Sequence, residues 1–156
     1  MTPEAWDNYT KMLKQSSEAV WVVARYIHKN GVDVTVKATH IAPSMDQYKQ
    51  YIDEGDIVIH RNNIQEIVEV KHQSWKWTQH SDIPWDRIIV CARKSYDRHT
   101  TKPSAYFLVN QQLTHALVIP TTTQDQWETK VIRDKVKSWD QEMYMINPLT
   151  IEFVEL

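Results

Sequence analysis

The chain has one cysteine, two glycines and two phenylalanines among its 156 residues, and each shortage closes off some chemistry. The single thiol, Cys91, can form no internal disulfide and cannot build a cysteine-based zinc site. It stands between apolar neighbours, so it reads as an inert core thiol. Two glycines, Gly31 and Gly55, are too few for a Walker A loop or a GxGxxG turn. Kinase, GTPase and dinucleotide-binding readings fall there. No apolar run approaches the roughly 18 residues needed to cross a bilayer. The opening MTPEAWDNYTKMLK also lacks the basic cap and apolar core of a secretory signal. The expectation is a cytoplasmic protein with no membrane partner, in the host cytoplasm if the chain is viral.

Charge of one sign is missing too. Eighteen Lys and Arg against 20 Asp and Glu leave a net charge of −2, so blanket neutralisation of a polyanion is not written into the composition. If the chain handles nucleic acid, its positive charge is local or a metal ion supplies it. The seven histidines form no HExxH or HxH, and there is no GxSxG. Neither a histidine zinc site nor covalent acyl transfer has support.

What is present reads as one globular domain, 42% hydrophobic and 24% charged, with an unusual seven tryptophans. Thr2-Pro3 is an N-cap followed by proline at the first helical position. Trp6, Tyr9, Leu13, Ser17, Val20, Ala24 and Ile27 then recur at three and four, one helical stripe that Asn30-Gly31 terminates. Val32, Val34, Val36 and Ala38 alternate with polar residues, as a half-buried strand does. A polar connection over 39–55 holds one short helix near 46–51. Residues 55–60 and 64–71 are two strands joined at Asn62-Asn63, a pair that tolerates positive φ in a two-residue turn. Further strands are expected at 87–92, 105–110 and 115–120, with one or two helical turns over 92–102. Trp127, Val131, Val136 and Trp139 predict a surface helix over 125–139, and the last residues close with one or two strands.

The chemistry sits on the paired strands. Glu69 and Lys71 are two apart, so both project from one face while Val68 and Val70 point into a core. A turn at Asn62-Asn63 pairs Arg61 with Ile64 and Ile59 with Glu66, which puts Asp56 directly opposite Glu69. Opposed residues share a face with Cβ atoms about 4.5–5.5 Å apart. Two carboxylates so placed can grip one hard cation. A three-residue loop would send them to opposite faces. A divalent ion held there polarises a phosphoryl oxygen and lowers the pKa of a bound water, while Lys71 orients that water and steadies transition-state charge. The competing reading is an exposed charge ladder, in which a cross-strand ion pair is worth a few tenths of a kcal/mol. Glu66 falls on the other face.

Asp56, twelve intervening residues, then Glu69-x-Lys71, after a first helix and a strand, resembles the PD-(D/E)XK nuclease superfamily. Gly55 stands where that pattern often has proline. The resemblance implies a restriction-endonuclease-like α/β (α+β) fold, an αβββαβ core with a central mixed sheet flanked by helices. On this reading 1–156 is a single domain, its core at 3–120 and a C-terminal helix and strand extension at 121–156. It implies a Mg²⁺- or Mn²⁺-dependent hydrolase acting on nucleic acid, DNA in preference to RNA, with Glu18 from the first helix as a further metal ligand. Such a nuclease would suit a phage, a mobile element or another DNA-processing system. A homodimer and delivery by a partner protein stay open. So do two alternatives: a catalytically silent nucleic-acid-binding or assembly module with the same fold, and a dimeric junction-resolving or nicking endonuclease.

Substrate contacts are expected from two stretches. After the motif, Gln73 could hold a water or phosphate oxygen, Trp75 and Trp77 could stack on bases or cap the core, and Lys76 could meet a phosphate. The basic run Arg87, Arg93, Lys94, Arg98, His99 and Lys102 is the best source of local positive charge. Asp53 and Glu54 crowd the strand entrance and could hold a second ion or lie in solvent.

Overall fold

The computed structural model describes residues 2–51, 55–134 and 139–156. Helix α1 (Pro3–Lys29) is capped by Thr2, whose hydroxyl accepts the Ala5 amide, and ends at Asn30 with Gly31 at φ +83°. Its 27 residues span about 40 Å. Only the C-terminal half is fully packed, through Ala19, Val20, Val23, Ala24 and Ile27.

Strands β1 (Asp33–Val36), β2 (Ile57–Arg61), β3 (Ile64–His72), β5 (Ala105–Val109), β6 (His115–Pro120) and β9 (Glu152–Glu155) form a six-stranded sheet in the order β1-β2-β3-β5-β6-β9. It is mixed: β3 and β5 are parallel, the other neighbours antiparallel. Strands β4 (Ile88–Ala92), β7 (Glu128–Asp134) and β8 (Trp139–Ile146) form a second, antiparallel sheet in the order β4-β8-β7. The short helix α2 (Arg93–Arg98) follows β4 on the crossover from β3 to β5. The expected αβββαβ order is therefore present as α1-β1-β2-β3-α2-β5, a mixed α+β fold with β4 inserted before α2.

The hydrophobic residues divide into two clusters, one on each face of the large sheet. On one face Ile57, Ile59, Val68, Val70, Phe107 and Val109 meet α1. On the other Tyr106, Leu108, Leu117 and Ile119 meet Val90, Cys91, Trp127 and Ile146 of the second sheet and its approaches. Period-two alternation in β3 follows from this, because Val68 and Val70 must face α1 while Glu69 and Lys71 take the other side.

The C-terminal helix is a correction. Residues 128–134 are strand β7, paired along their length with β8, after a 3-10 turn at Thr121–Gln126. The tryptophan-valine spacing is not a buried stripe: Trp127 is buried, but Val131 is 60% and Trp139 50% exposed. Val136, the other member of that spacing, lies outside the described residues. Nor is 121–156 an appendage, since β9 closes the large sheet against β6 and β8 joins β4. No helix among the described residues is long and apolar enough to cross a membrane.

Candidate active site

The turn chemistry of two asparagines places the site. Asn62 and Asn63 adopt φ of +47° and +64°, the two positive values that a two-residue hairpin turn of matching twist demands. The register that follows pairs Arg61 with Ile64, Ile59 with Glu66 and Ile57 with Val68. One step further, Asp56 donates its amide to the Val68 carbonyl at 3.2 Å and sits opposite Glu69.

Asp56 and Glu69 are in direct side-chain hydrogen-bond contact. A second bond, 2.7 Å from the Val70 amide to Oδ2 of Asp56, fixes the aspartate. The Gly55 amide donates to Glu69. Gly55 is held at φ +88°, and a Cβ built there would fall 2.2 Å from Cγ2 of Ile67. Only glycine permits this approach, so the residue at position 55 has a structural reason to be what it is.

Burial raises the Glu69 carboxyl to about 7; Lys71 opposes this, and the neighbouring Asp56 adds to it by charge and by hydrogen bond. Two carboxylates in contact repel one another when both are ionised, and a cation between them relieves that repulsion. Their oxygens are hard donors of the kind that Mg²⁺ and Mn²⁺ prefer. The donor set fits such an ion.

Lys71 projects from the same face of β3, its Nζ 6.0 Å from the centroid of the Tyr106 ring. Tyr106 pairs with Glu69 across the parallel β3–β5 ladder and is 4% exposed, so a rigid buried ring underlies both charged groups. Burial raises the hydroxyl of Tyr106 far above its ordinary value, and Cys91 shares a hydrogen bond with it. The Cys91 thiol is itself pushed up by burial, in keeping with an inert core residue.

Glu69 and Lys71 open into a cleft of about 1590 Å³ between the large sheet, α2 and the start of β8. Arg93, Lys94 and Arg98 of the basic run line it. They are not equivalent. Arg93 is bound to Asp97 at 3.3 Å and to Glu142 at 2.8 Å, so its charge is spent on joining α2 to β8. Lys102 donates to the Tyr96 carbonyl and lies over that residue's ring, and Arg87 pairs with Glu128. Lys94, Arg98 and also Lys49 form no ion pair with the described residues.

Other expected residues are elsewhere. Glu18 is exposed on α1, which covers the opposite face of β3; among the described residues no group of three His, Cys, Asp or Glu gathers to hold a metal. Asp53 and Glu54 lie outside the described residues. Gln73 spends its side-chain oxygen on the Trp75 indole at 3.0 Å, Trp75 packs edge-on against Trp85, and Trp77 is 1% exposed in the core. Gln73, Trp75 and Lys76 do not line the cleft. The sequence reading missed Tyr48, Lys49, Tyr106 and Trp139, which do. Only their aromatic or basic character could have flagged them: Trp139 arrives on the second sheet, which was not foreseen, Tyr106 through the β3–β5 pairing, and Tyr48 and Lys49 from a 3-10 helix in the connection before β2.

No family model matches the chain, and no curated protein does. Among solved structures its fold is similar to that of a bacterial homing endonuclease, at 15% sequence identity and a TM-score of 0.43, covering 85% of this chain and 73% of the other.

Proposed function

We propose that the chain is a metal-dependent nuclease that hydrolyses phosphodiester bonds of DNA. The observation that carries the reading is the contact of the Asp56 and Glu69 carboxyls across the β2–β3 register, with Lys71 on the same face and Lys94 and Arg98 lining the cleft into which Glu69 opens. Asp56 and Glu69 would hold the Mg²⁺ or Mn²⁺ ion, which when bound supplies Lewis-acid charge at the phosphoryl oxygen and acidifies water.

The chain's own residues have separate tasks. Asp56, pinned by the Val70 amide, presents its carboxylate without rotational freedom. Glu69, whose carboxyl is held more readily protonated by burial, would release that proton on holding the cation. Lys71 directs its ammonium toward the attacked phosphate, where charge grows in the transition state. Lys94 and Arg98 bind flanking phosphates, supplying locally the positive charge that the composition lacks.

The test is cleavage of supercoiled plasmid and of single-stranded circular DNA by purified protein with Mg²⁺ or Mn²⁺. Nicking or degradation is expected from the wild type and none from Lys71→Ala that retains its melting temperature. Binding of DNA with no cleavage in either metal would instead mark a silent binding module.

A further inference from the structure

From the side chains that surround the carboxylates, we infer that the cleft receives single-stranded rather than duplex DNA; this rests on the nucleic-acid reading above. Four aromatic side chains share the lining with the charged groups; Tyr96 and Tyr106 are buried, whereas Trp139 and Tyr48 reach the surface. Trp139 opens β8 and is 50% exposed, and Tyr48 comes from the 3-10 helix Met45–Tyr51. An exposed ring inside a cleft stacks only on a base whose face is open, and in a duplex the neighbouring pairs cover both faces.

The charges agree with this. Besides Lys71, the cations of the lining without an ion-pair partner among the described residues are Lys49, Lys94 and Arg98, next to Tyr48 or on α2. Lys49 adjoins Tyr48 in sequence, a basic-aromatic pairing suited to a phosphate and the base attached to it. The cleft also carries Asp97, Asp140 and Glu142, but each is tied to an arginine, Asp97 and Glu142 to Arg93 and Asp140 to Arg133. A strand threading the cleft thus meets stacking surfaces and phosphate contacts while passing over Glu69 and Lys71.

The experiment is fluorescence anisotropy of labelled oligo-dT and of a labelled duplex of equal length, titrated with the full chain in EDTA so that hydrolysis does not intervene. Tighter binding of the single strand, by about tenfold or more, is expected. Trp139→Ala should weaken that binding about tenfold, in line with the loss of one base–aromatic stack, with little change for duplex. Trp139→Phe should retain most of it, and Lys94→Ala with Arg98→Ala should weaken binding and flatten its salt dependence. Duplex binding as tight as single-strand binding, or a Trp139→Ala variant that binds like wild type, overturns the inference. Plasmid cleavage with Mn²⁺ separates the two ideas: cutting of duplex with no preference for single strands leaves the nuclease standing and removes this substrate class. Single-strand binding without cutting does the reverse.

Discussion

The molecule contains two hairpins of similar length that behave in opposite ways. The β2–β3 hairpin has one face against α1 and one toward the cleft, and its register puts Asp56 beside Glu69. The β7–β8 hairpin pairs just as regularly, yet most of its described side chains are exposed or half-buried on both faces. The first is specified twice, by asparagines that accept positive φ and by an apolar set that a one-residue slip would turn outward. The second is specified mainly through its tie to β4 and the core residues at its base, Tyr144 and Ile146. A hairpin declares itself in sequence when burial imposes alternation; pairing alone leaves little mark.

The sharpest way to test the contrast is to remove one lysine from each hairpin. Lys71→Ala should lower cleavage by about a thousandfold or more, as expected for loss of a group acting on transition-state charge. Lys130→Ala, on exposed β7 away from the cleft, should leave the rate within about twofold. Equal losses from both would mean that chemistry is not concentrated on β3.

The next effect is on stability. Gly55→Ala adds a methyl 2.2 Å from the Ile67 side chain at φ +88°, so a strained backbone and a clash come together. A loss of about 2–4 kcal/mol is expected in urea unfolding. The substitution should also disturb the amide that serves Glu69, reducing the rise in melting temperature caused by Mn²⁺ beyond what the lower stability explains.

A somewhat smaller effect follows from the raised Glu69 carboxyl. The Glu69 carboxyl is raised from 4.5 to about 7 on folding, so between those values the folded chain binds the proton and the unfolded chain does not. Stability from this group is complete below about pH 4.5 and is lost as pH rises through 7, by on the order of a few kcal/mol. Glu69→Gln should flatten that part of the pH profile. With Mn²⁺ the slope should weaken or reverse, because the ion binds the ionised pair and its affinity grows as the proton leaves. A wild-type profile identical to that of Glu69→Gln would refute the raised titration of Glu69.

How much of this was legible depends on which residues carried the signal. The register could be read because Asn62-Asn63 fixed a two-residue turn and the valines fixed the faces. The α1 stripe could be read for the same reason, although its first half, around Trp6 and Tyr9, is only partly covered. Glu18 could not be placed, since periodicity shows that a helix is amphipathic without telling which face of the sheet it covers. The second sheet was hidden because β4 reads as an ordinary buried strand, and only tertiary pairing with β8 removes it from the large sheet. Among the basic residues, sequence could not separate Arg93, consumed by Asp97 and Glu142, from Lys94 and Arg98. Partners 49 positions apart leave no local trace.

The smallest expected effects test the comparison from its quiet side. Val68 is 1% exposed against α1, whereas Val131 is 60% exposed on β7. Val68→Ala deletes buried methyl groups and should cost about 1–3 kcal/mol. Val131→Ala should cost no more than a few tenths, because its side chain already meets water and only strand propensity is lost. The cross-strand pair Arg133–Asp140, at 3.5 Å with both side chains more than half exposed, belongs with it. Asp140→Ala should move the urea midpoint by an amount worth a few tenths of a kcal/mol at most, less in high salt. If Val131→Ala or Asp140→Ala instead destabilised the chain as much as Val68→Ala does, the β7–β8 ribbon would be buried in solution against something that covers it. The contrast between a specified hairpin and a permissive one would then fail.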